Sequence, residues 1–599
     1  MRNLFGSIAA AALVVSLQAP LAAQQSSDAL AAEPNQDQAI LNDVMDGYWA
    51  YVLEQNPVLA SSVGVDDYAG QVGDYSLEAA DRQAAQAQRF LDRLKTIDPS
   101  ALDDNGQVNL AILQRMLGEQ IESNRFGQRV VNFTSYSSWH QNFAGMANNL
   151  PFRTKADYRS YIDRLAQFPA INAQSIAVAN QAIAGGYTQH CVTLQGFEGT
   201  ITGLITEDPA ESRFYEPFTR PRPSTISEAE FAALGREAAE VIQAKIYPAL
   251  AEQRDWYVRD YAPACAQEIG VSAQPGGTDY YAFRIREMTT TDMSADEIHQ
   301  LGLTEVARIR SEMETVAKAA GYASREAFIA HLRTDPQYYA DDAETLMEKN
   351  ARQAKTIDGK LPGLFGRLPR LPYGLRAIPA ETAEGTTTAS YNPGSPEIGV
   401  SGTYYVNTSK LDQRPYWEIP ALTAHESVPG HHLQIALQQE LDMPEFRKQL
   451  AFFTAFVEGW GLYSERLGIE MGIYDTAAKD MGRLSYEMWR ACRLVVDTGI
   501  HSKGWSKDRA VAFMTDNSAL TAANIDAEVN RYISWPGQAL AYKIGELKIR
   551  ALRTRAEEAL GDRFDLRAFH DVVLGQGAVP LDLLERRIAS WIAQEQQAS

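Results

Sequence analysis

The sequence predicts a mainly α-helical, two-lobed body with a central cleft and a small β-sheet at its rim. Three observations predict it. Apolar residues recur at helical spacing along most of the chain, as in Ile40-Val44-Tyr48-Tyr51-Val52 and Leu110-Leu113-Leu117. Strand-like alternation is confined to one stretch between Leu361 and Tyr405, where Pro362, Pro369, Pro372, Pro379, Pro393 and Pro396 interrupt that rhythm. The 599 residues, 45% of them hydrophobic, supply several domains' worth of core, which large helical proteins often fuse into two lobes.

Residues 1–23 read as a secretory signal peptide: Arg2, an apolar run from Ile8 to Leu17, and the small-residue site Leu21-Ala22-Ala23. The apolar run is too short to span a bilayer, so a periplasmic or secreted protein without stable membrane insertion is expected. No Cys follows the segment, which argues against a lipid anchor. Residues 24–37 form a polar leader. Residues 38–360 form an N-terminal helical region, broken by a loop at Pro217, Pro221 and Pro223. After it Ser227 caps a helix ahead of Glu228 and Glu230, and further helices run over Ser294–Ala319 and Ser324–Leu332. Residues 361–599 are the expected catalytic region, continuous with the first. It opens on a rim sheet built from Thr387–Tyr391, Ile398–Val400 and Thr403–Asn407, and helical rhythm resumes at Trp417.

The formal net charge of -21 would repel phosphate backbones and anionic membranes, which excludes nucleic acid as a partner. Three cysteines are too few for a disulfide framework. Cys191 and Cys265 could pair in an oxidising compartment, and Cys492, inside an apolar helical pattern, is expected as a buried free thiol. No phosphate-binding loop, dinucleotide fingerprint or G-x-S-x-G nucleophile elbow occurs.

The chemistry concentrates in Thr423-Ala424-His425-Glu426-Ser427-Val428-Pro429-Gly430-His431-His432-Leu433-Gln434, which holds three of the nine histidines. Neutral imidazoles suit a zinc ion, and a neighbouring Glu can take a proton from water. The standard HExxH spacing is absent, because Pro429 stands four residues after His425. In a regular helix neither His431 nor His432 falls beside His425, but Pro429 and Gly430 predict a broken or bulged helix there. A two-residue expansion makes His431 equivalent to the fourth position, with His432 in reserve. Glu458, between Phe456 and Trp460, is the candidate third ligand from a following helix. Glu465, seven residues on and on the same face, either orients a ligand or lies in solvent. Arg493, Arg531 and Gln538 could hold a peptide's terminal carboxylate, or the arginines could pair with Asp497 or Glu528. Asp497 lies four residues before His501, a spacing that could orient its imidazole. His140, His190, His299, His331 and His570 are scattered and read as structural.

HESVPGHHLQ (His425–Gln434), FVEGWGLYSE (Phe456–Glu465), DTGIHSKGW (Asp497–Trp505) and RYISWPGQALAYKIGE (Arg531–Glu546) together resemble the bacterial domain-of-unknown-function 885 family over nearly the whole mature chain. That family is similar in turn to gluzincin-type helical zinc metallopeptidases such as thimet oligopeptidase and angiotensin-converting enzyme. The resemblance implies a metallopeptidase-like body in which His425, His431 and Glu458 bind Zn2+ and Glu426 is the general base. It also favours the phenol of Tyr542 as donor to the oxyanion, ahead of His501 and Tyr532. The expected function is a secreted zinc peptidase acting on short peptides, with Tyr405 and Asn407, in an edge strand over Tyr404–Asn407, and Arg531 as substrate contacts. A non-catalytic, metal-stabilised binding protein and a metal amidase on non-peptide bonds are the alternatives.

Overall fold

The computed structural model describes residues 35–135, 137–383 and 386–598. The expected signal peptide and leader residues 24–34 lie outside them. The first described helix, Gln36–Gln55, begins where the Asn35 side chain accepts a hydrogen bond from the Gln38 amide. The same capping logic starts the helices expected at Ser227 and Ser294, each closed by a reciprocal bond with Glu230 or Glu297 three residues on.

The protein is mainly helical. Its described strands are three short ones: β1 (Tyr373–Ala377), β2 (Ala389–Asn392) and β3 (Gly402–Val406). Their order is β1-β3-β2, with β1 parallel and β2 antiparallel to β3. Two expectations are corrected here. Ile398–Val400 is a turn tied by one bridge between Ser395 and Val400, and the missing strand is supplied by Tyr373–Ala377. The Tyr404–Asn407 segment falls on the central strand β3, both of whose edges are taken, so the edge strands are β1 and β2.

Seven helices build the site: α1 (Ala295–Ala319), α2 (Ile419–Glu426), α3 (His431–Glu440), α4 (Thr454–Leu467), α5 (Ala477–Lys503), α6 (Ala522–Ser534) and α7 (Ala541–Leu560). Helix α5 is buried without interruption from Met481 to His501, on every face, which makes it the central pillar. It packs along α1, and α4 packs along α7. One core joins Leu41 and Val44 to Trp460, Ile544 and Ile588, so the first and last described helices close on the same interior. A second packs Ile309 and Met313 with Met488 and Val496, and an aromatic third lies within residues 133–261. Cys191 and Cys265 are joined in a disulfide. Burial pushes the Cys492 thiol up to about 12, leaving it inert.

Candidate metal centre

Helix α2 ends on His425 and Glu426. The Ser427 amide and hydroxyl both donate to the Thr423 carbonyl, at 3.0 and 2.6 Å, and close its last turn. The chain then turns through Ser427–Gly430, with a cis Val428–Pro429 bond, before α3 starts at His431. The helix is therefore broken rather than bulged. Gly430 folds back so closely that a Cβ there would lie 1.9 Å from the His425 carbonyl oxygen, a position no other residue can take. Trp460 clamps the turn from α4, its Nε1 donating to the Pro429 carbonyl at 2.8 Å. The outcome sets the imidazoles of His425 and His431 side by side, ring centres 4.7 Å apart and planes at 85°.

Helix α4 brings Glu458 to the same point. Its Oε2 lies 3.5 Å from His425 Nε2 and 3.4 Å from His431 Nε2, and one donor atom of each residue falls within 4.8 Å of the others. Ligands about 2.0–2.1 Å from a tetrahedral ion stand about 3.3–3.4 Å apart, so the spacing suits zinc. That Oε2 is buried without an ordinary hydrogen-bond partner among the described residues, as is His431 Nδ1. Burial alone would raise the Glu458 carboxyl, but the two imidazoles hold it well below the usual range. Burial likewise works against a charged His425, and the Glu458 and Glu465 carboxylates outweigh it, raising the imidazole to about 9.

His425 is fixed from behind. Its Nδ1 donates to Glu465 Oε1 at 2.8 Å, and Arg490 Nη2 holds that same oxygen at 3.0 Å. The ring lies flat enough on α4 that a Cβ at Gly461 would come within 2.7 Å of its Cε1. Glu465 is thus a buried orienting carboxylate and not a solvated one.

The remaining predicted residues divide cleanly. His432 points away from the triad. Its Nε2 donates to the Leu371 carbonyl at 3.0 Å, its Nδ1 accepts from the Tyr391 hydroxyl at 2.9 Å, and burial lowers it to about 4. His501 is also removed from the site. Its Nδ1 accepts from the Val271 amide at 3.1 Å, its Nε2 donates to the Tyr532 carbonyl at 2.9 Å, and burial lowers it to about 3. Asp497 does not orient it, because that carboxylate takes the Tyr281 hydroxyl and the Gly537 amide. Asn407 spends its amide on the carbonyls of Ala383, Thr386 and Thr387, which makes it a loop anchor. Tyr405 sits on the central strand, half-buried, outside the cavity that adjoins the triad. Tyr532 is occupied as well, accepting from Trp489 and Arg493 and donating to Glu528.

Tyr542 lies beside the triad. Its ring stacks 6.4 Å from that of His425, and its hydroxyl, pushed up to about 12 by burial and the nearby Glu458, accepts from the Gln538 amide at 3.3 Å. Tyr542, Glu426, Arg493, Arg531 and the β2 residue Ser390 face one cavity of about 520 Å³ that includes the triad. The sequence did not single out Ser390, Arg490 or Trp489 as site residues. Arg490 and Arg493 straddle Trp489 on α5, each guanidinium 4.5 Å from its ring, and two arginines three apart flanking a tryptophan in a helical pattern were the available signal.

The model of the family described as "Bacterial protein of unknown function (DUF885)" matches residues 57–588, and the chain belongs to that family. Among solved structures, a protein described as a "putative lipoprotein from Colwellia psychrerythraea" is 29% identical, with a TM-score of 0.85 over 93% of this chain and 100% of its own. A "putative lipoprotein of unknown function from Shewanella oneidensis" is 18% identical, with a TM-score of 0.66 over 92% and 99%. No curated protein matches.

Proposed function

We propose that the protein is an extracytoplasmic zinc peptidase that hydrolyses short peptides, on a two-lobed helical body of the gluzincin type with its cleft at the triad. The observation that carries the reading is the convergence of His425 Nε2, His431 Nε2 and Glu458 Oε2 at ligand spacing beside Glu426, in an open cavity. A structural site fills its fourth position with protein and needs no adjacent base. The disulfide and the lipoprotein descriptions of two structural neighbours support a location outside the cytoplasm, and among the described residues no helix is long and apolar enough to cross a membrane.

A zinc ion held by the triad would supply Lewis acidity to a substrate carbonyl and to water. The protein's own groups do the rest. Glu426 takes the proton from the attacking water and passes it to the departing nitrogen. Glu465 and Arg490 hold the His425 ring so that only Nε2 faces the ligand position. Tyr542 donates its hydroxyl proton in a hydrogen bond to the developing oxyanion. The free edge of β2 offers main-chain hydrogen bonds to an extended peptide.

Zinc-loaded protein and its Glu426→Gln variant, incubated with a mixed peptide library and read by mass spectrometry, test the proposal. New termini made by the first and lost in the second are expected. Their absence from both would move the reading to an amidase of non-peptide bonds or a metal-stabilised binding protein.

A further inference from the structure

We infer that Arg493 and Arg531 form a subsite for the free C-terminal carboxylate of the substrate, which makes the protein an exopeptidase working from the carboxyl end. The inference rests on the peptidase reading and adds the polarity of the substrate. Arg493 Nη2 and Arg531 Nη2 each lie 2.9 Å from the same oxygen of Glu528, so two guanidiniums share one carboxylate and one positive charge is left over at the cavity wall. Arg531 is otherwise engaged, its Nε with Glu528 and its Nη1 with Gln538. Arg493 is not. Its Nε donates to Tyr532, but its Nη1 meets no acceptor among the described residues, although the residue is only 3% exposed.

A buried guanidinium N–H without an acceptor is costly, and a ligand carboxylate would satisfy it. The group is also held in place. It lies between two rings, 4.5 Å from the centre of Trp489 and 4.2 Å from that of Tyr542, so little ordering remains to be done on binding. The other nearby acid, Asp497, is bonded to Tyr281 and Gly537 and does not face the cavity; burial pushes it up to about 7. Glu426 and Glu458 belong to the metal side.

Tyr542 sets the scale of the substrate. Its ring is 6.4 Å from His425 on one side and 4.2 Å from the Arg493 guanidinium on the other, a reach that about three extended residues cover at most. The cut then falls close to the carboxyl end. Water adds across the amide bond, its hydroxyl to the acyl carbon and its proton to the nitrogen, and the fragment bearing the carboxylate leaves as the amine product. A peptide that continues past this point, or ends in an amide, leaves the Arg493 N–H unpaired and is rejected.

The test compares N-acetyl-tetra-alanine with its C-terminal amide, using the full zinc-loaded chain. We expect kcat/KM to favour the acid by about tenfold or more. Calorimetry on the Glu426→Gln protein reads the same preference without turnover, and Arg493→Lys in that background should erase it while metal content stays constant. Equal cleavage of both peptides overturns the carboxylate subsite and leaves the peptidase reading intact. Preferential binding of the acid without any cleavage by the unaltered chain retains the subsite and sinks the peptidase. Equal binding with no cleavage removes both. Should Arg493→Lys fail to fold, the acid-to-amide ratio of the unaltered chain decides by itself.

Discussion

Two of the clusters of charged side chains buried in the C-terminal half are built on opposite plans. In the first, Lys543 is wholly buried and reaches three carboxylates, Glu305, Glu487 and Glu546, at 2.8–3.1 Å. Arg308 and Arg483 pair with Glu487, and Arg550 with Glu546, so that none of these side chains keeps a buried polar atom without a partner among the described residues. In the second, His425, His431 and Glu458 aim their donor atoms at one point, and Glu458 Oε2, one of those atoms, has no ordinary hydrogen-bond partner among the described residues. A saturated network ties α1, α5 and α7 together and has nothing left to offer a ligand. A convergent, unsaturated set is poised to bind one.

The largest effect that would sharpen this contrast is on the saturated side. Lys543→Met leaves three carboxylates without their central partner and should cost about 3–5 kcal/mol in denaturant unfolding. Zinc bound per folded molecule should not change. A variant that kept its stability but lost its metal would erase the distinction between the clusters. On the other side, Tyr542→Phe should lower kcat about 10²–10³-fold with little change in KM. An unchanged turnover removes the phenol from the mechanism. Glu465→Gln, which weakens the grip on His425 without removing a ligand, should reduce zinc affinity about 10–100-fold in a chelator competition.

The triad side of this contrast was partly legible in the sequence, and the Lys543 network was not. Pro429 and Gly430 announced the break that selects His431 over His432, because a proline four residues after His425 cannot continue a helix. The cap at Ser227 and the helix start at Ser294 were likewise readable from local chemistry, whereas the Cys191–Cys265 bond, between residues 74 apart, stood in the sequence only as one that could form. What was hidden depends on which distant segments meet. His501 looked reactive beside Asp497, but Val271 and the Tyr532 carbonyl, remote in the chain, occupy both its nitrogens. Tyr404–Asn407 was expected to be an edge strand open to a peptide, and only the arrival of Tyr373–Ala377 in parallel makes it central. Alternation reveals a strand and says nothing of its neighbours.

The smallest effect concerns acid. His140, His501 and His570 are lowered to about 3 by burial, so the native state keeps them neutral where the unfolded chain, titrating near 6.5, takes up protons. Below about pH 6.5 the unfolded state binds more protons, and stability falls as pH drops, by about 1 kcal/mol per histidine for each unit. Urea melts at pH 6.5 and 5.5 check the slope, and His501→Gln should shallow it by one proton. A slope that did not change would mean that His501 titrates alike in both states.

The central claim is that His425, His431 and Glu458 hold one metal ion and that adjacent His432 does not. Zinc content per chain, measured by mass spectrometry on the unaltered protein, His431→Ala and His432→Ala after identical loading and desalting, tests it most directly. The account predicts one zinc in the unaltered chain and in His432→Ala, and a large loss in His431→Ala. Stoichiometric zinc in His431→Ala, or none in the unaltered chain, would contradict it.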